Sequence, residues 1–296
     1  MDPLTQRLGF PPDARVLILH ADDVGVCHAA NAAFWEDLEA GTMTCGSVMM
    51  PCPWVPEMAA WCRAHPGADV GVHLTLNSEW EGYRWRPIST SDPQSGLIDG
   101  EGYMWRSVQE LYRHMDPDAA ICELRAQLDL ALSLGIDVTH LDTHLGAVAH
   151  PALAPAYIQL AVEHGLPAML PRLSARDLEL EGIPPDVGQA FSRQLDALEA
   201  NGFPVLDRLF PDNGFGEDLD AYCRWLDDAE PGVAHVRLHP ALPGPEIEAV
   251  TSRWRYRIAD YQVMLRPEIG EYLADRGIYT VGYRALRDLI RGEGGT

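Results

Sequence analysis

Residues 16–25 read VLILHADDVG: an apolar run enters His20 and then two adjacent carboxylates, Asp22 and Asp23. Asp is a poor strand residue, and like charges side by side repel. Such a pair at the end of a buried strand calls for a positive partner. Three later stretches could supply or surround one. GVHLTLN carries His73 inside an apolar run. THLDTHLGAVAHP carries His140, Asp142 and His144 at alternate positions, with His150 beyond them. AHVRLHPALPG carries His235, Arg237 and His239, the last just before Pro240. Imidazole and carboxylate are the usual donors to divalent metals. One Asp with two His leaves positions open for water and substrate. A cation there neutralises one carboxylate and lets its neighbour stay ionised as a base. It also polarises a carbonyl and lowers the pKa of bound water. His239, at a strand end, suits a general acid for a leaving group. Arg172, closing LPAMLPR, could orient a carboxylate bidentately or touch substrate. Each group also has a plainer reading: an Asp that caps a helix, a hydrogen-bonded core His, a surface His before a turn, a surface ion pair.

Groups so distant in the chain need a scaffold that sets strand ends side by side. Short apolar runs alternate with helical patterns throughout. Strands are expected at 16–20, 43–50, 70–76, 136–141, 167–170, 204–206, 233–238 and 278–281. Helices are expected between them, among them 27–40 closed by Gly41 and one opened by Asp116-Pro117. The alternation predicts an α/β fold, a distorted or nearly closed (β/α) barrel, with a doubly wound open sheet as the other candidate. The chain reads as a single domain over 1–296, its core at about 15–291. Residues 77–105 are rich in Gly, Pro, Ser, Asp and aromatics and predict a long irregular insert after the third strand. In a barrel that insert follows a strand on the catalytic face.

Composition narrows the partners. The formal net charge is −22, which argues against nucleic acid and against an anionic membrane surface. All 22 basic residues are Arg, so Schiff-base chemistry and a phosphate-loop lysine are excluded. No apolar run approaches the length of about 20 residues that spans a bilayer. The six cysteines form no C-x-x-C and no disulfide framework, and read as small buried thiols of a reducing cytoplasm. The N-terminal stretch shows no signal-peptide pattern. Homo-oligomerisation is left open.

In order, HADDVG, VGVHLTLN, THLDTH and RLHPAL resemble the motifs of the YdjC-like (ChbG/HpnK) carbohydrate deacetylase family. GLIDGEGYMW, WRYRIADYQVML and YLADRGIYTVGYRALRDL extend the resemblance over roughly residues 15–291. The resemblance implies a distorted (β/α) barrel and one divalent metal ion, Mg2+ or Zn2+. It implies hydrolysis of an N-acetyl group on an amino sugar such as a chito-oligosaccharide. Asp23, His73 and His144 are then the metal ligands, Asp22 the general base and His239 the acid. Trp80, Tyr83, Trp85 and Trp105, on the insert, become candidates to stack on sugar rings. Two features depart from the family pattern: Leu145 and Gly146 follow His144 where further histidines are common, and Val24 replaces an aromatic. Two alternatives stand beside this reading. One is a dinuclear metal phosphoesterase or amidohydrolase that draws further ligands from His20, Asp142 and His150. The other is a non-catalytic carbohydrate-binding protein.

Overall fold

The computed structural model describes residues 2–174, 185–210 and 217–293. Its parallel strands are β1 (Arg15–Val24), β2 (Cys45–Val48), β3 (Val70–Leu74), β4 (Val138–Thr143), β5 (Arg208–Leu209), β6 (Gly232–Leu238) and β7 (Ile278–Thr280). They lie in the order β4-β3-β2-β1-β6-β5. β6 occupies one edge of β1 along Arg15–Ala21, so β2 and β7 share the other. β7 pairs at Arg15–Leu17, and β2 takes over from His20 onward.

Single parallel bridges, Leu141 to Ala168 and Pro171 to Leu206, carry the wall from β4 round to the chain entering β5. Strands expected at 167–170 and 204–206 are therefore reduced to bridges. Pro167, Pro171 and Pro204 flank them, and proline has no N–H to donate to a ladder. The architecture is the expected α/β one, a distorted barrel with helices outside.

Sequence chemistry explains the helix ends. Asp116 accepts the N–H groups of Asp118 and Ala119, and Pro117 starts the helix Pro117–Ser133. Gly41 takes a left-handed φ of 82° after the helix His28–Ala40. Alternation sorts β1 by face. Leu17, Leu19 and Ala21 pack outward against helical residues such as Phe34 and Met58. Val16 and Ile18 join Cys45, Leu206 and Val233 in an inner apolar floor, completed by Tyr283 and Leu286 of the helix Tyr283–Arg291. The next inward position above that floor is His20, and then Asp22.

Residues 77–105 form the expected irregular insert, broken only by a 3-10 turn at Pro93–Ser95 and a bridge between Ile98 and Met104. It is ordered by its own bonds. Trp85 Nε1–H donates to the Asn77 carbonyl, Trp105 Nε1–H to that of Gly96, and the N–H groups of Ile88 and Ser89 to the buried Glu123. Among the described residues no helix is long and apolar enough to cross a membrane. Four of the cysteines are buried, as expected; Cys122 is exposed and Cys223 half-buried, and none is bonded to another.

Candidate active site

Strict alternation would send Asp22 into the barrel and Asp23 out of it. Asp23 instead adopts φ 61°, and the register of β1 against β2 slips between Ala21 and Val24. A left-handed conformation costs an L-residue on the order of 1–2 kcal/mol. The kink turns both carboxylates into the barrel mouth, where they face different partners.

Asp23 meets the two histidines. Its Oδ1 lies 3.4 Å from His73 Nε2 and 3.1 Å from His144 Nδ1. One donor atom from each residue falls within 4.8 Å of the others, and all three residues are buried. Asp23 Oδ1 is buried without a hydrogen bond among the described residues. The second nitrogen of each ring is already engaged. His73 Nδ1 lies 2.7 Å from Asp142 Oδ2 and 3.0 Å from Ser47 Oγ, and His144 Nε2 lies 2.9 Å from Glu79 Oε2. A carboxylate behind each imidazole fixes which nitrogen faces the centre. One free carboxylate oxygen and two aimed imidazole nitrogens fit a divalent cation.

The electrostatics agree. Burial opposes charge on Asp23, but the Arg257 guanidinium and then His144 hold its carboxyl well below the usual range. Burial lowers the His73 imidazole, yet Asp142 overrides it and lifts it well above its ordinary value. His144 is likewise pushed up to about 9: burial works against it, and Glu79 and Asp23 outweigh burial. Protons on these rings are what a cation would displace.

Asp22 has other nearest partners, although one of its oxygens lies within 4.8 Å of a His73 ring nitrogen. His20 Nδ1 lies 2.7 Å from its Oδ1, and His239 Nε2 lies 3.8 Å from its Oδ2. Burial would raise this carboxyl, but the hydrogen bond from His20 and the positive fields of His73 and His20 hold it far below its usual value. His239 is at the rim, its side chain 39 % exposed. Its backbone N–H donates to Asp260 Oδ2 at 2.7 Å, and Asp260 is further held by the Tyr222 hydroxyl.

The helix Trp254–Met264 thus supplies two supports from one face. Asp260 holds His239, and Arg257, one turn earlier, donates Nη2–H to Asp23 Oδ2 at 2.5 Å. Neither Arg257 nor Glu79 was singled out by the sequence. Arg257 lies in WRYRIADYQVM, where arginines and apolar residues are so mixed that no face stands out. Glu79 lies on the insert, two residues past Asn77.

The other expected site residues fall into three places. Trp80 is half-buried beside the cluster, with the Arg257 guanidinium 5.4 Å from its ring. Trp85 is buried, and its ring lies 6.2 Å from that of His144. Trp105 stacks on His114 at 4.3 Å, and Arg172 places its two terminal nitrogens on Asp196 and Glu199, each at 2.8 Å. Among the described residues neither of the last two contacts the cluster. Of the further ligands weighed for a dinuclear centre, His20 and Asp142 border the cluster. His150 instead lies 4.5 Å from the Tyr112 ring and accepts the N–H of Ala152.

Comparison with known proteins gives a consistent picture. The YdjC-like protein family model matches residues 16–275. A carbohydrate deacetylase of Thermus thermophilus is 35 % identical over 97 % of this chain and 99 % of its own. One of Brevibacillus brevis is 27 % identical over 91 % of this chain and 99 % of its own. A crystal structure from Enterococcus faecalis V583, of a protein provisionally assigned to cellobiose-phosphate cleavage, shares the fold. Its TM-score is 0.75 at 21 % identity, covering 92 % of this chain and 99 % of that one.

Proposed function

Because this chain belongs to the YdjC-like family, we propose that it is a metal-dependent carbohydrate deacetylase that hydrolyses the N-acetyl group of an amino sugar or chito-oligosaccharide-like substrate. The observation that carries the reading is the division of labour between adjacent carboxylates. Asp23 faces two imidazoles, and Asp22 faces a rim histidine.

Asp23, His73 and His144 would hold one divalent cation, Mg2+ or Zn2+, which when bound polarises the acetyl carbonyl and makes water more acidic. The chain's own residues do the rest. Asp22, ionised and anchored at Oδ1 by His20, presents Oδ2 to take a proton from the attacking water. His239, whose Nε2 lies 3.8 Å from Asp22 Oδ2 at the solvent-facing rim, donates a proton to the departing amine. Arg257 occupies Asp23 Oδ2 and so leaves Oδ1 as the free donor. Trp80, at the mouth, offers a ring face for a sugar. The unpaired thiols fit a reducing cytoplasm.

The test is acetate release over a panel of N-acetylated mono- and oligosaccharides, with and without a chelator. Release from at least one of them, abolished by chelator and restored by a divalent salt, is expected. No release from any of them by protein shown to carry metal would overturn the reading.

A further inference from the structure

Below the two carboxylates the barrel interior holds three buried histidines: His20, which anchors Asp22, and His140 and His235, which the proposed chemistry leaves without a role. Two of them belong to a continuous hydrogen-bonded column. It starts at Asp22 Oδ1, 2.7 Å from His20 Nδ1. His20 Nε2 lies 2.8 Å from His140 Nε2. His140 Nδ1 lies 2.9 Å from the Thr139 hydroxyl, which also meets the carboxyl of Asp69. Asp69 immediately precedes β3, at the opposite end of the barrel from the mouth, and its Oδ2 accepts the N–H of Arg284 at 2.7 Å.

The backbone makes room for this column at two places. A Cβ on Gly71 would stand 2.6 Å from the His140 ring, and one on Gly282 would stand 2.2 Å from Asp69 Oδ2. Tyr283 covers the column, its ring 4.0 Å from His140 and 17° from parallel, while its hydroxyl reaches His235 Nδ1 at 2.9 Å.

Donor and acceptor counting gives the column a direction. As the base of the proposed reaction Asp22 acts as a carboxylate and only accepts, so across the 2.7 Å contact the proton sits on His20 Nδ1. Burial drives His140 well toward its neutral form, with one N–H and one lone pair. With His20 neutral too, its Nε2 accepts from His140, His140 Nδ1 accepts from Thr139, and Thr139 accepts from a protonated Asp69. Burial raises Asp69, in favour of that proton. With Asp69 ionised, every bond beyond His20 reverses and His20 carries both protons. The same atom, Nδ1–H, faces Asp22 in either arrangement.

We propose that His20 is a positioning residue for the base: its Nδ1–H fixes Asp22 Oδ1 and frees Oδ2 for the attacking water, and the chain His140–Thr139–Asp69 holds that N–H in place. The assignment rests on Asp22 being the base of the proposed deacetylase. Thr139 lies too deep to touch a substrate, so Thr139→Val reports on the column alone. It is expected to lower kcat by the worth of one hydrogen bond, roughly two- to tenfold, with KM and bound metal unchanged. His20→Asn keeps a donor at the Nδ1 position and cuts the link to His140; it should retain far more activity than His20→Leu. In the His20→Asn background Thr139→Val should have no further effect on kcat. Equal loss in both backgrounds, or no loss in either, refutes the column as a positioning device.

A second readout does not need turnover. In 15N-histidine-labelled wild-type protein, with His20→Asn used for assignment, His20 Nδ1 should resonate as a protonated nitrogen at neutral pH. An unprotonated Nδ1 refutes the proposal whatever the activities of the Thr139 variants. If no acetylated sugar is turned over, the deacetylase reading falls while this nitrogen shift still decides the orientation of His20.

Discussion

Arg257→Met tests how Asp23 is kept charged inside the barrel. Asp23 and Arg257 are both buried, with side chains 2 % and 10 % exposed, and they meet at 2.5 Å. Removing one partner of a buried ion pair leaves an uncompensated charge and costs about 3–5 kcal/mol. His73 and His144 lie close enough to Asp23 to offset part of that, which places the loss toward the lower end. At about 2.1 cal/mol/K per residue, the 296 residues give an unfolding entropy of about 0.6 kcal/mol/K, so the melting midpoint should fall by about 5–8 °C. Thermal melts in chelator measure it. A divalent cation supplies the charge that methionine lacks, so adding one should recover more of the midpoint in the variant than it adds to the wild type. Arg257→Lys keeps the charge without the planar fork and should fall between the two. Midpoints equal within a degree in chelator, or a deficit of the same size with and without the cation, would refute the claim that Arg257 neutralises Asp23.

Asp22→Asn should keep its metal and lose about a hundredfold or more in kcat; near-wild-type turnover would remove Asp22 from the role of base. His239→Ala should slow amide substrates much more than activated acetate esters, whose leaving group needs no proton, and equal slowing of both would count against an acid at that position. Asp37 is fully buried with neither oxygen hydrogen-bonded among the described residues, and burial, with Asp260 and Glu36 nearby, pushes its carboxyl from 3.8 up to about 9. The folded chain then keeps a proton that the unfolded chain releases, so stability falls by about 1.4 kcal/mol per pH unit between those two values. Asp37→Asn should flatten that decline, and parallel melting curves from pH 5 to pH 8 for variant and wild type would show that Asp37 is not the cause.

Much of this architecture is legible in the sequence because it follows from apolar periodicity. Val16 to Leu19, Val70 to Leu74 and Val233 to Leu238 are dense apolar runs, and each is a strand. Parity placed His140, Asp142 and His144 on one face, and the barrel brings Asp142 and His144 to His73 while His140 meets His20 beneath them. What the sequence hides is set by tertiary geometry. Parity alone separates Asp22 from Asp23; the left-handed φ at Asp23 reunites them, and no residue pattern announces it. Arg257 is invisible for a related reason. A charged residue reads as exposed unless its partner is known, and its partner lies far away in the chain at Asp23. Trp105 and Arg172 show the converse. Their types suit sugar and carboxylate, but in the fold a histidine ring and two nearby acids already occupy them.

The two carboxylates are held from opposite directions, and this bears on how adjacent Asp residues come to do different work. Asp22 is gripped from within the barrel, through His20. Asp23 is gripped from outside the strand, by a guanidinium that arrives on the helix Trp254–Met264. Without those grips, neighbouring carboxylates at a strand end would share protons and partners, and neither would have a fixed lone pair. The helix that secures Asp23 also fixes the backbone of His239 through Asp260. A shift of that helix should therefore disturb the metal ligand and the acid together and leave Asp22 in place. Removing Asp260 by Asp260→Ala should lower metal occupancy and slow amide substrates more than activated esters, whereas Thr139→Val should do neither.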